Sequence, residues 1–145
     1  MASGVPVTMS RANWPDIGKL ILRLTVACLL FFHGLAKMQG GIGWMAGMLA
    51  SYHIPAFVGY GVYVAEVIAP ILLIVGKWTR LAALVIAFDL FMAIVLVIQG
   101  KTFAPNPRGG GLGGELELFF LLVSVAIFFL GSGRYAISKG QGRWD

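Results

Sequence analysis

LAALVIAFDLFMAIVLVI, running from Leu81 to Ile98, holds one charged side chain, Asp89, in an otherwise apolar stretch. A helix needs about 20 predominantly apolar residues to span the hydrocarbon core of a bilayer. Three more stretches of this kind occur. IGKLILRLTVACLLFFHGL covers Ile17–Leu35, FVGYGVYVAEVIAPILLIV covers Phe57–Val75, and GGELELFFLLVSVAIFFL covers Gly113–Leu130. None alternates as a barrel strand would. The expected fold is therefore all-α: a membrane four-helix bundle, with lipid as its main solvent.

Composition agrees. Hydrophobic residues make up 59% of the 145-residue chain and charged residues 12%, against about 25% charged in soluble domains. Mean hydropathy is +0.87. A soluble domain this short has too little interior to hide so much apolar surface. The net charge of +5 does not point to nucleic acid, because the basic residues sit at helix ends and loops rather than in one patch. They orient the chain instead. Arg11, Lys19, Lys77, Arg80, Arg134, Lys139 and Arg143 fall on one side, and Lys37, Lys101 and Arg108 on the other. Seven against three places both termini in the cytoplasm and the protein in the plasma membrane. Trp14, Trp78 and Tyr135 then mark the inner interface, and Trp44, Tyr52 and Tyr60 the outer one.

The expected organisation is a polar segment at 1–16, a transmembrane domain at 17–135 and a short basic tail at 136–145. The first apolar run begins with a basic residue, as a signal peptide does. It is longer than a signal core, contains Arg23 and lacks a clear cleavage site, so it reads as a retained helix. The loop after it, with Gly40, Gly41, Gly43 and Gly47 among Trp44, Met45, Met48 and Leu49, reads as lying in the interface. Gly76–Arg80 is short enough to close an antiparallel hairpin. The glycine- and proline-rich loop Gln99–Gly114 reads as irregular.

Ionisable residues inside the spans are the informative ones, since each costs at least about 2.5 kcal/mol near a helix centre. They are Arg23, His33, Glu66 and Asp89, with Glu115 and Glu117 at the start of the last run. A rise of about 1.5 Å per residue puts Arg23 roughly 9 Å into the first helix, and Asp89 and Glu66 roughly 12 and 14 Å in. Arg23 is thus expected to pair with Glu66 or Asp89. His33 and Lys37 share a helix face, and with Glu115 and Glu117 they are expected to form an outer cluster. Each has a plainer reading: ion pairs that fix helix register, a structural histidine, a snorkelling lysine, a helix-start glutamate. Gly61, Ala65 and Ala69 offer a close-packing face, and Pro70 should kink the second helix. Cys28 reads as a small buried hydrophobe. No P-loop, dinucleotide fingerprint, CxxC or HExxH motif is present, and one intramembrane histidine gives no ligand set for a metal or haem.

These residues, in this order, resemble the DoxX family of small four-helix bacterial and archaeal membrane proteins. The likeness covers roughly Leu20 to Tyr135. It rests on Arg23 followed by His33-Gly34-Leu35-Ala36-Lys37, on Glu66, and on Leu73-Ile74-Val75-Gly76-Lys77-Trp78-Thr79-Arg80-Leu81-Ala82-Ala83. Gly114-Glu115 and Gly131-Ser132-Gly133-Arg134-Tyr135 complete it. After that tyrosine the family pattern leads to expect Ser-Leu-Asp, where this chain has Ala136-Ile137-Ser138.

The resemblance implies a membrane subunit of a complex that oxidises thiosulfate and passes electrons to quinone, or of an oxidative-stress complex with a soluble redox enzyme. Quinone would be the cofactor, and an oxidoreductase subunit, soluble or membrane-bound, the partner. Arg23, His33, Glu66, Asp89 and Glu115 are the candidate donors, bases and relays. Lys37, Lys101 and Arg108 would attract an anionic substrate. Two other functions compete: a non-enzymatic anchor or assembly scaffold, and a small proton or solute transporter, which would require a homo-oligomer.

Overall fold

The computed structural model describes residues 13–107 and 109–145. Arg11 and Arg108, counted above for charge, lie outside them. Helix α1 spans Trp14–Gly40, α2 Gly43–Ser51, α3 Ala56–Val75 and α4 Thr79–Ile98, and α5 Glu115–Leu130. Helices α1, α3 and α4 are long and apolar enough to cross a membrane. Helix α5 has 16 residues, or about 24 Å of rise, and packs against the others as the fourth member of the bundle. The chain is a membrane protein with the all-helical architecture its apolar runs imply.

The packing is that of a bundle without water outside it. Lipid tails are as apolar as leucine, so association rests on close packing of small residues. Ala27, Ala65, Ala69, Ala82 and Ala83 are buried, while Phe32, Phe88 and Phe129 are exposed. Val26, Leu30, Leu73, Ile86, Leu90, Phe120 and Ile127 fill the centre.

Glycine at two positions is a geometric requirement. A Cβ on Gly34 would lie 2.4 Å from the Glu66 carbonyl oxygen, so α1 rides directly on the α3 backbone. At the α3–α4 turn, Gly76 has φ +72°, and a Cβ there would strike both Ala136 and the Arg23 guanidinium.

Helix α3 is not the single regular helix expected. It opens with a 3₁₀ turn at Ala56–Tyr60 and widens into a π-helical turn at Val64–Ile68. Pro70 explains the second feature. In an α-helix the Glu66 carbonyl would accept from the N–H of residue 70, which proline lacks. The π turn relieves that mismatch, and the Gly34 backbone seats against the same carbonyl. The small-residue face survives at Ala65 and Ala69, whereas Gly61 is exposed; Cys28, expected to be buried, is exposed on α1. Helix α4 ends in a second π turn at Ile94–Ile98.

The connections carry more structure than their composition suggests. The first loop folds into α2. The loop after α4 is tied by backbone bonds from Gly113 to Ala104 (2.8 Å) and from Asn106 to Gly111 (3.0 Å). Beyond α5 the tail turns back over the end of the bundle where α1 starts. Ser138 donates through its hydroxyl to the Gly76 carbonyl (2.9 Å), Arg80 donates its N–H to the Trp144 carbonyl (2.9 Å), and Asp145 accepts from the Trp78 N–H. The Arg134 N–H reaches Asp16 at the start of α1 (3.3 Å), so the chain finishes at the end where its described part begins.

Gly34→Ala should cost about 1–3 kcal/mol, because packed backbone cannot yield to the added carbon. Gly18→Ala, also in α1 but with open space around it, should be neutral or slightly stabilising. Denaturation of both variants in mixed micelles reads this out. Equal stability of the two would refute the close approach.

Candidate functional site

A cavity of about 630 Å³ lies in the half of the bundle away from the termini. Leu30, Leu90 and Phe120 from the core form part of its wall, and Trp44, Met45 and Met48 of α2 cover it. Five ionisable side chains line it: His33 and Lys37 from α1, Glu66 from α3, Asp89 from α4 and Glu117 from α5. Both π turns border it, through Glu66 and through Leu96 and Val97. Such turns occur disproportionately at functional sites.

The centre of the group is an ion pair. Lys37 donates to Glu66 Oε1 at 2.6 Å, with the lysine side chain 31% exposed and the glutamate 5%. The remaining carboxylate oxygen, Oε2, is buried and accepts no hydrogen bond from the described residues. Asp89 is half-buried, near enough for the charges of Glu66 and Lys37 to act on it. Among the described residues no side chain pairs with it directly. His33 is exposed on α1, and its ring meets Phe120 edge-on at 6.2 Å.

Arg23 takes no part in this group, and the expected pairing with Glu66 or Asp89 is corrected. Its guanidinium is fully buried and donates to the Ser132 and Tyr135 carbonyls, 2.7 Å each. These carbonyls follow the C-terminus of α5, where backbone acceptors have no intrahelical donors. They are nearer than either acid, and charge-assisted bonds of this length are strong. Arg23 therefore fastens the tail to the bundle.

The expected outer cluster is corrected too. Lys37 turns inward to Glu66. Glu115 accepts from the Leu112 N–H at 3.0 Å, which closes the start of α5, and it does not line the cavity. Glu117, two residues on, does. Lys101 is exposed outside the cavity, and Arg108 lies outside the described residues.

That α2 covers the site goes beyond the interfacial loop expected from the sequence. The one available signal was the pair of methionines and the tryptophan among the loop glycines.

Comparison with known proteins comes to the same helices. A family model described as DoxX matches residues 18–99, a range that includes His33, Lys37, Glu66 and Asp89. "Putative oxidoreductase CatD" of Bacillus subtilis is 31% identical over 117 residues, covering 81% of each chain. An uncharacterized protein of Haemophilus influenzae is 31% identical over 121 residues, covering 81% of this chain and 86% of its own. No solved structure matches.

Lys37→Met should destabilise the protein by about 3 kcal/mol, because it strands a buried carboxylate. The double variant Lys37→Met/Glu66→Met should recover most of that loss. A double-mutant cycle in micelles measures the coupling, and additive losses would disprove the pair.

Proposed function

The chain belongs to the DoxX family, and from that membership we propose that it is the integral membrane subunit of a quinone-linked redox complex. In this reading it is a multi-pass protein of the plasma membrane, with both termini in the cytoplasm by the loop-charge rule. An oxidoreductase partner exchanges electrons with the bound ring. The name of the Bacillus subtilis relative supports redox chemistry in general.

The observation that carries the reading is the convergence of Lys37, Glu66, Asp89 and His33 on one apolar cavity. A quinone ring needs flat apolar walls, hydrogen-bond donors at its oxygens and groups that exchange protons. The residues fit. Leu30, Trp44 and Phe120 provide walls. Lys37 keeps N–H donors beyond the one given to Glu66, and His33 has its ring nitrogens. When bound, the quinone would take up two electrons and two protons.

The chain's own residues do the rest. Glu66 holds the Lys37 ammonium at the cavity wall. Asp89, which has no protein partner among the described residues, holds or releases a proton there. Glu117 lies on the side of the cavity nearest the start of α5 and offers a proton step towards that surface. Helix α2 keeps bulk water from the ring. A pure scaffold would account for the Lys37–Glu66 pair as a register device, but it leaves the cavity and Asp89 without a role.

Titrating purified protein in lipid nanodiscs with decylubiquinone should quench tryptophan fluorescence saturably, since Trp44 lines the cavity. Lys37→Gln should weaken binding about tenfold, which corresponds to about 1.4 kcal/mol and to the loss of one charge-assisted bond. Unsaturable quenching, identical in Trp44→Phe, would overturn the assignment.

A further inference from the structure

The Lys37–Glu66 bond uses one oxygen of the Glu66 carboxylate. The other, Oε2, is buried without a partner among the described residues, on a residue only 4% exposed that lines the cavity. Asp89 is a second carboxylate on the same cavity, also without a direct partner among the described residues. A carboxylate can only accept hydrogen bonds. Leaving the buried Glu66 oxygen empty costs about 1–3 kcal/mol, and more when it is charged; Asp89 is half-buried.

A ligand that presents only carbonyl oxygens cannot remove that cost, because it would set one acceptor against another. A ligand with two hydroxyl groups can.

We propose that the cavity selects the reduced, dihydroxylated aromatic form of its ligand, one hydroxyl donating to Glu66 Oε2 and the other to Asp89. This rests on the quinone reading above and adds to it a preference for one redox state of the ligand. A site that holds the quinol more tightly than the quinone raises the midpoint potential of the bound couple, by about 30 mV for each tenfold preference. That shift favours reduction of the bound ring by the partner, the direction the family resemblance implies. The donors on Lys37 and His33 admit the quinone, and the empty acceptors on Glu66 and Asp89 retain the product. The same chemistry is met by a long-chain quinol from the lipid and by a small hydroquinone from water.

Anaerobic calorimetry on the full chain in nanodiscs, comparing decylubiquinol with decylubiquinone, tests this. The quinol should bind at least tenfold more tightly. Glu66→Gln, which puts a donor amide beside the cavity, should abolish or reverse the preference. Asp89→Asn leaves the Lys37–Glu66 pair in place and should reduce the preference several-fold, so the test survives if Glu66→Gln fails to fold. Equal affinities in the native protein, tighter quinone binding, or a preference unchanged in Asp89→Asn would overturn the inference while leaving the quinone site standing. Absence of binding by either form would overturn both. Unsubstituted hydroquinone, run alongside, identifies the source: tight binding of the decyl form alone points to the lipid pool, and tight binding of both to a water-soluble ligand. Either result upholds the selection of hydroxyl donors.

Discussion

Helix α1 meets α3 where the Gly34 backbone lies on the Glu66 carbonyl, and the rest of the bundle is arranged around that contact. In lipid no hydrophobic gain draws helices together, so a contact of this kind has to come from geometry. Glycine on one side removes the side chain that would hold the helices apart. Proline on the other, at position 70, removes the N–H that would normally engage the carbonyl. The π turn at Val64–Ile68 follows from the same missing donor, and Glu66 sits within it. The contact that binds α1 to α3 thus also presents Glu66 to Lys37, one turn beyond Gly34.

The two ends of the molecule divide the remaining polar groups between them. At the end where α1 starts, the two terminal nitrogens of Arg23 donate to backbone carbonyls, its Nε has no partner among the described residues, and the tail folds over the α3–α4 turn. That end is closed. At the other end the helices enclose a cavity, and its polar groups are only partly satisfied. A buried charge in a membrane protein needs either neutralising partners or a reason to lack them. Arg23 is held by carbonyl dipoles that complement its charge, whereas Asp89 has no direct partner among the described residues and lines the cavity for which a ligand is proposed.

Much of the architecture was legible in the sequence, because the bilayer fixes both the length and the polarity of a spanning helix. The apolar run at Leu81–Ile98 ends where α4 ends, and the short Gly76–Arg80 turn makes the hairpin it suggested. Glu66 and Asp89 could be picked out by the cost of placing them in lipid. What could not be read was their pairing. Axial depth from a straight-helix rise makes Arg23, Glu66 and Asp89 look like neighbours, but it says nothing about rotation around each helix. The π turn changes that rotation in α3, and the carbonyls past α5 are invisible to a search for acids. Sequence patterns describe side chains, whereas the decisive partners of Arg23 and Gly34 are backbone atoms.

The charges at the cavity bear on whether it is a packing defect or a built site. Register between α1 and α3 needs one lysine and one acid, and Lys37 with Glu66 already meets that need. Asp89 is a third ionisable group, contributed by another helix, and no hydrogen bond or ion pair among the described residues holds it. An apolar residue in its place would pack without the cost of placing that group there, as its neighbour Leu90 does. The wall also includes Glu117 from α5, so every long helix of the bundle contributes an ionisable side chain to one space. Helix register explains a pair; it does not explain five such groups around an apolar volume covered by α2, whereas the aromatic ligand proposed for the cavity would.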